Sequence, residues 1–142
     1  MADDAAAKAP LPVVPYLKIP TDGAPYLEAQ QCNGCGKIFL TERNTCAHCG
    51  ESGLMHAKAL ANTGSLYVYS IVHRSFPGVA VPYVSAIVDL NGGGTVKGNL
   101  INIDPDPEKI RMGMPVEVIY QTAPTKDADG NEYLTYYFQP AV

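Results

Sequence analysis

The side chains in this sequence best suited to chemistry are its four cysteines, Cys32, Cys35, Cys46 and Cys49, which all fall within eighteen positions. They form two Cys-x-x-Cys-Gly units, Cys32-Asn33-Gly34-Cys35-Gly36 and Cys46-Ala47-His48-Cys49-Gly50, with ten residues between Cys35 and Cys46. Two residues between cysteines let both thiolates reach one ion at about 2.3 Å, and the second unit completes a tetrahedron. The glycine after each second cysteine accepts positive φ, which closes the knuckle and turns its amides toward sulfur. This is the spacing of a zinc ribbon. Iron in a rubredoxin-like site takes the same four ligands, and spacing does not separate the two metals. Two disulfides are the competing reading, which a reducing compartment disfavours. His48 is expected to face solvent, because four thiolates already fill the site.

A closed four-thiolate site has no open position for water, so the expected zinc is structural. It also occupies every thiol of the chain, leaving no cysteine nucleophile. The serines show no Gly-x-Ser-x-Gly elbow. His56 and His73 are isolated. An independent enzyme would have to rest on His73 and Asp89, which have no polar partner at a recognisable spacing.

The elements that must position these residues are mostly strands. Residues 1–15, rich in Ala and Pro, read as a flexible arm. Residues 16–56 hold an N-terminal segment and the ribbon. Pro20, Gly23 and Pro25 leave room there only for a short turn or helix such as Pro25–Gln30, and Lys37–Leu40 suits a short strand between the knuckles. From residue 57 to 142 the pattern is strand and turn. Leu66–His73, Tyr83–Leu90, Thr95–Ile103, Val116–Tyr120 and Tyr133–Phe138 are rich in β-branched and aromatic residues. Asn91-Gly92-Gly93-Gly94 marks a hairpin turn, and Asp104-Pro105-Asp106-Pro107 a break that can cap one helical turn, Pro107–Ile110. Asp127, Asp129 and Asn131 faintly resemble a calcium loop, but the glycine is out of register and no closing glutamate follows. Five short strands suit a small barrel, with an OB-fold the best match and an SH3-like barrel or small sandwich as alternatives.

Composition narrows the function classes. The 142-residue chain has 46% hydrophobic residues, as a globular protein does, and a net charge of −4. That balance argues against nucleic acid as a partner, since OB-folds that bind it present a basic groove with stacking aromatics. No apolar run is long enough to span a membrane. The first fifteen residues lack the basic start and apolar core of a secretory signal, which points to a cytoplasmic protein.

Beyond the ribbon, an ordered series of segments carries a resemblance: Tyr69-Ser70-Ile71-Val72-His73-Arg74, Phe76-Pro77-Gly78, Val81-Pro82-Tyr83, Gly98-Asn99-Leu100 and Gly113-Met114-Pro115-Val116-Glu117-Val118. Together they resemble the zinc-ribbon OB-fold family associated with acyl-CoA metabolism, over roughly Tyr16 to Pro140. The resemblance implies a mainly β fold, a rubredoxin-like zinc ribbon followed by a five-stranded OB-fold barrel. It implies a small subunit that works in a hetero-oligomer beside a thiolase-fold catalytic subunit, as in acyl-CoA thiolases, hydroxymethylglutaryl-CoA pathway enzymes and steroid side-chain aldolases. Glu42-Arg43-Asn44 and Asp129-Gly130-Asn131-Glu132-Tyr133 are similar to the small subunit of benzoylsuccinyl-CoA thiolase, an enzyme of anaerobic toluene degradation. The helical hairpin usual at the family's N-terminus is truncated here to Pro15–Gln31. Such a subunit would share CoA or acyl-CoA with its partner. Lys37, Arg43, Arg74 and Lys97 are the candidate cations for CoA phosphates, though each alone is ordinarily a solvated charge. Arg74 has the best claim, because it opens the loop of Phe76, Pro77 and Gly78. Asn99, beside Gly98, joins these as a candidate CoA or partner contact. Nine tyrosines, seven of them on expected strands, would support an obligate partner if they formed an exposed band.

Overall fold

The computed structural model describes residues 9–141. It is built of strands: β1 (Leu11–Pro12), β2 (Leu17–Lys18), β3 (Tyr26–Cys32), β4 (Ile38–Phe39), β5 (Met55–Ala59), β6 (Thr63–Val72), β7 (Tyr83–Leu90), β8 (Thr95–Leu100), β9 (Pro115–Thr122) and β10 (Tyr133–Pro140). The last five form the barrel. Their order is β10-β8-β7-β6-β9, and β9 pairs back onto β10 to close it. All barrel pairings are antiparallel except β8 with β10, which meet in parallel at Leu100 and Phe138. This mixed five-stranded closure is the OB topology expected from the sequence.

The alternation that identified the strands also builds the core. In β7, Val84, Ala86, Val88 and Leu90 are buried, while Tyr83, Ser85, Ile87 and Asp89 point away. They pack with Leu66, Val96, Leu100, Val116, Val118, Tyr136 and Phe138. Gly98 faces this core. A Cβ there would lie 2.8 Å from the Phe138 ring and 2.9 Å from that of Tyr136, so the glycine marks close approach of two aromatic rings. The Tyr136 hydroxyl donates to the carbonyl of Lys97 and accepts from Tyr16, which satisfies a buried phenol. Burial pushes its pKa upward.

Four expectations are corrected. Pro25–Gln30 is no helix or turn; most of it lies in β3, because Leu27 and Ala29 are fully buried on one face while Tyr26, Glu28 and Gln30 take the other. Its edges are filled by β2, β4 and β5. Pro107–Ile110 is a hydrogen-bonded turn, tied by Lys109 N to Asp106 O and by Glu108 N to the Asp106 carboxylate. The third barrel strand stops at Leu100 rather than Ile103, where Asn102 takes φ 62°. The arm expected over residues 1–15 is tied down in part. Leu11 and Pro12 pair with Tyr133 and Leu134, on the stretch of the β10 edge that β8 leaves open; residues 1–8 lie outside the described residues.

Ribbon and barrel share β5, which runs across residues 56 and 57 to pair with β3. They also touch at the β7–β8 hairpin. Gly93, at φ +120°, lies so close to the ribbon that a Cβ would sit 2.4 Å from Ile38 Cδ1. Gly93→Ala is expected to destabilise the chain by about 1–3 kcal/mol in urea unfolding, with metal content unchanged. Strained φ and steric contact act together there, while the cysteines are untouched.

Candidate metal centre and barrel face

Cys32 ends β3, and the chain then turns so that Gly34 N donates to Cys32 Sγ (3.3 Å) and Gly36 N to Cys32 O (2.8 Å). The second knuckle repeats this. His48 N (3.3 Å) and Cys49 N (3.4 Å) donate to Cys46 Sγ, and Gly50 N to Cys46 O (2.9 Å). Gly36 and Gly50 take φ 82° and 83°, the left-handed conformation their positions called for. All four sulfurs lie within 4.8 Å of one another. Cys32 and Cys49 are 3.7 Å apart, and Cys35 and Cys46 3.6 Å. The edge of a tetrahedron of sulfurs 2.3 Å from a central ion is about 3.8 Å, whereas a disulfide needs about 2.0 Å. The geometry is that of one four-thiolate metal site, consistent with structural zinc, and not that of paired disulfides. His48 is exposed, as its place in the knuckle required.

The sulfurs oppose one another electrostatically. The amides of Cys49 and His48 hold the Cys46 thiol down to about 6. For Cys49 the Glu51 amide pulls the same way, but burial and the three neighbouring sulfurs prevail and push it up to about 12. A divalent cation at the centre lets all four ionise together. Beside the site, Arg43 stacks on Phe39, its guanidinium carbon 4.1 Å from the ring centroid, and donates to Thr41 Oγ1 at 2.9 Å. Its guanidinium is therefore engaged within the ribbon. This stack had no signature in the sequence, because the two residues share no motif.

Lys37 lies on the ribbon beside the β7–β8 hairpin, whereas most of the other candidate residues lie toward the opposite end of the barrel. The β6–β7 connection, residues 73–82, is exposed throughout, with Phe76 at 83% relative exposure. Arg74, Phe76, Pro77 and Gly78 all lie on it, and Gly78 takes φ 91°. Register sets Asn99 near that end of the sheet and Lys97 midway along it. Asn99 pairs with Ser85, which pairs with Ser70; Lys97 pairs with Ile87, which pairs with Val68. Since Val84, Ala86 and Val88 point inward, these partners share the outer face of β7 and β8. In an OB-fold that face and the loop between the first two strands form the customary binding surface. The hairpin that touches the ribbon is at the opposite end of β7, about 23 Å away at strand rise. The ribbon, whose Gly36 and Lys37 line a cleft with Gly94 and Thr95, therefore meets this sheet at the end opposite the loop. His73 and Asp89 are set at opposite ends of the same sheet and form no pair. Of the strand tyrosines only Tyr67 is exposed, so the described residues form no exposed tyrosine band. Asp127, Asn131 and Tyr133 close on each other, with Asp127 accepting from the Asn131 and Asp129 amides, as a hairpin turn does.

Two family profiles match this architecture: the ChsH2 rubredoxin-like zinc ribbon domain over residues 23–54 and the ChsH2 C-terminal OB-fold domain over residues 57–121. A DUF35 domain-containing scaffold protein of Methanocaldococcus jannaschii is 31% identical over 113 residues, 78% of each chain. The chain belongs to the DUF35 scaffold protein family. A solved structure described as an Ltp2-ChsH2(DUF35) aldolase contains a chain of the same fold, at TM-score 0.63 and 32% identity, covering 82% of this chain and 86% of that one. The benzoylsuccinyl-CoA thiolase subunit BbsA of Geobacter metallireducens is 37% identical over 76 residues, 52% of this chain and 50% of BbsA. This DUF35 protein therefore carries the family's ribbon and barrel. Its described residues include no helix long and apolar enough to cross a membrane.

Proposed function

We propose that this DUF35 protein is the non-catalytic subunit of an acyl-CoA thiolase-type complex, in which a thiolase-fold chain supplies the nucleophile and bases. The observation that carries this is the convergence of all four cysteines on one site, which leaves the chain without a thiol nucleophile. The relatives add weight: the aldolase structure pairs a DUF35 chain with Ltp2, and BbsA is a subunit of a thiolase. In this reading the outer face of β7 and β8, with Lys97 and Asn99, borders the CoA or acyl-CoA channel of the complex, roofed by Arg74, Phe76, Pro77 and Gly78. The BbsA likeness favours thiolytic cleavage of benzoylsuccinyl-CoA, and so acyl transfer within toluene degradation, as the reaction served; a thiolase-fold aldolase is the next alternative. An OB-fold reading of nucleic acid is disfavoured, because among the described residues Lys97 is the one cation on the strands of this face.

Purified alone, the chain is expected to show no thiolysis or retro-aldol cleavage of any acyl-CoA. Co-purification through an affinity tag in its native source is expected to recover a thiolase-fold chain, whose activity rises on recombination. Turnover by the isolated chain, or a monomer without such a partner, overturns the reading.

A further inference from the structure

Strand β6 is paired along its whole length on one side and only in part on the other. Toward β7 it is bonded from Gly64 to Val72. Toward β9 the ladder covers Thr63 to Ser65 and ends with Leu66, which exchanges bonds with Met114 and Gly113. Among the described residues, the second edge of Val68–Val72 has no backbone partner. Natural edges are blunted by charge, proline or brevity. The open stretch, Val-Tyr-Ser-Ile-Val, has neither charge nor proline, and a bulge between Leu66 and Val68 sets it off from the paired half of the strand.

Both ends of the open stretch carry the residue types of interface hot spots. Tyr67 and Met112, at 59% and 68% exposure, flank one end, and Phe76, at 83%, follows the other. Two arginines frame them: Arg111 beside Met112, and Arg74 just after the strand. Both are exposed, and neither belongs to the three ion pairs of the described residues, Lys18–Glu28, Lys109–Asp104 and Lys126–Glu132. In a chain of net charge −4 this makes a cationic frame around an apolar, hydrogen-bonding edge.

We infer that the open edge of β6 takes up an extended, carboxylate-bearing segment of the catalytic partner as an added strand. The inference rests on the partnership proposed above. Strand addition satisfies the unpaired backbone, Phe76 and Met112 supply apolar anchors, and Arg74 and Arg111 select acidic side chains at the two ends. A second copy of this chain fits less well. Antiparallel pairing of two β6 edges about Ser70 would set each Arg74 opposite Leu66 of the copy, where the 110–114 segment and Arg111 already sit.

The test uses the full chain and the thiolase-fold subunit that co-purifies with it. Val68–Val72 amides on the open edge are expected to exchange at least about tenfold more slowly in the complex than in the free chain. Phe76→Ala and Met112→Ala are each expected to weaken binding about 30-fold, the effect of a hot-spot residue, with Tm unchanged because both side chains are exposed. The Arg74→Glu, Arg111→Glu double variant is expected to slow association. Wild-type complex with no added protection at Val68–Val72 and unchanged affinity in the variants overturns the edge while leaving the partnership standing. Absence of any wild-type complex overturns the partnership and the edge with it. Sedimentation showing a dimer of the free chain that the double variant dissolves assigns the edge to self-association instead.

Discussion

Removal of the metal by a chelator is expected to melt residues 32–54 while β6–β10 stay folded. From Asn33 to Gly53 the one buried residue is Cys46 itself. A segment whose apolar packing is limited to the partly buried Ile38 and Leu40 depends mainly on the metal to offset its chain entropy. Binding of a structural zinc contributes on the order of 10 kcal/mol in such sites, more than the net stability of many whole domains. The barrel has its own core, with Phe138, Val88, Leu66 and Val116 almost wholly buried, and loses mainly the ribbon's contact at Gly93. Metal analysis is expected to give one zinc per chain. Thiol titration is expected to find four slow cysteines before chelation and four fast ones after it. Hydrogen exchange is expected to show rapid exchange over 32–54 alone. Cys46→Ser should reproduce this, because Cys46 Sγ accepts from two backbone amides as well as serving the metal. A ribbon that keeps its protection after verified metal loss contradicts the structural role. Loss of the complex on chelation is the further expectation of the scaffold reading.

The parts of this fold that were legible in the sequence are those fixed by short-range chemistry. Cys-x-x-Cys-Gly spacing dictates a knuckle whatever surrounds it, and the sulfurs converge accordingly. Alternation in Tyr83–Leu90 reports one buried face, and the structure keeps both its limits. The errors arose where distant residues decide. Tyr26–Cys32 is a strand because β2, β4 and β5 reach it from both directions, and nothing local in Pro25–Gln30 announces those partners. Leu11–Pro12 is ordered by an edge of β10 more than 120 positions away. The barrel-face residues illustrate the same divide. Arg74 and Phe76 stand out by their place in a loop, but that Asn99 and Lys97 share the outer face of one sheet follows only from the pairing of β7 with β8. Arg43, a candidate cation for CoA phosphates by sequence, stacks instead on Phe39 across a turn, a contact that no motif announces.

The severest single substitution outside the metal site is expected to be Gly64→Ala. Gly64 is buried near the start of β6, where that strand is bonded on both sides at once, to Leu90 of β7 and to Val116 of β9. A Cβ built there lies 2.2 Å from the carbonyl oxygen of Asp89 and 2.8 Å from Leu90 Cα. Both obstacles are backbone, so no rotamer change relieves the overlap. Shifting β6 away from β7 drives it into β9, and shifting β7 disturbs its ladder with β8. The variant must break one of these ladders near the point where the barrel closes. The cost is expected to be about 3 kcal/mol or more, lowering Tm by about 10 °C for a chain of this size. Ser70→Ala, on the exposed part of the same strand, is the control and is expected to change stability by no more than about 0.5 kcal/mol. Differential scanning calorimetry of the zinc-loaded protein separates the two, and equal melting of Gly64→Ala and wild type would show that β6 and β7 do not approach as closely as this register requires. The residue also bears on the partnership. Because Gly64 sets how β6 seats between β7 and β9, its substitution is expected to weaken partner binding together with stability, whereas Phe76→Ala weakens binding alone. That contrast distinguishes a barrel that must be intact to present its edge from a loop that touches the partner directly.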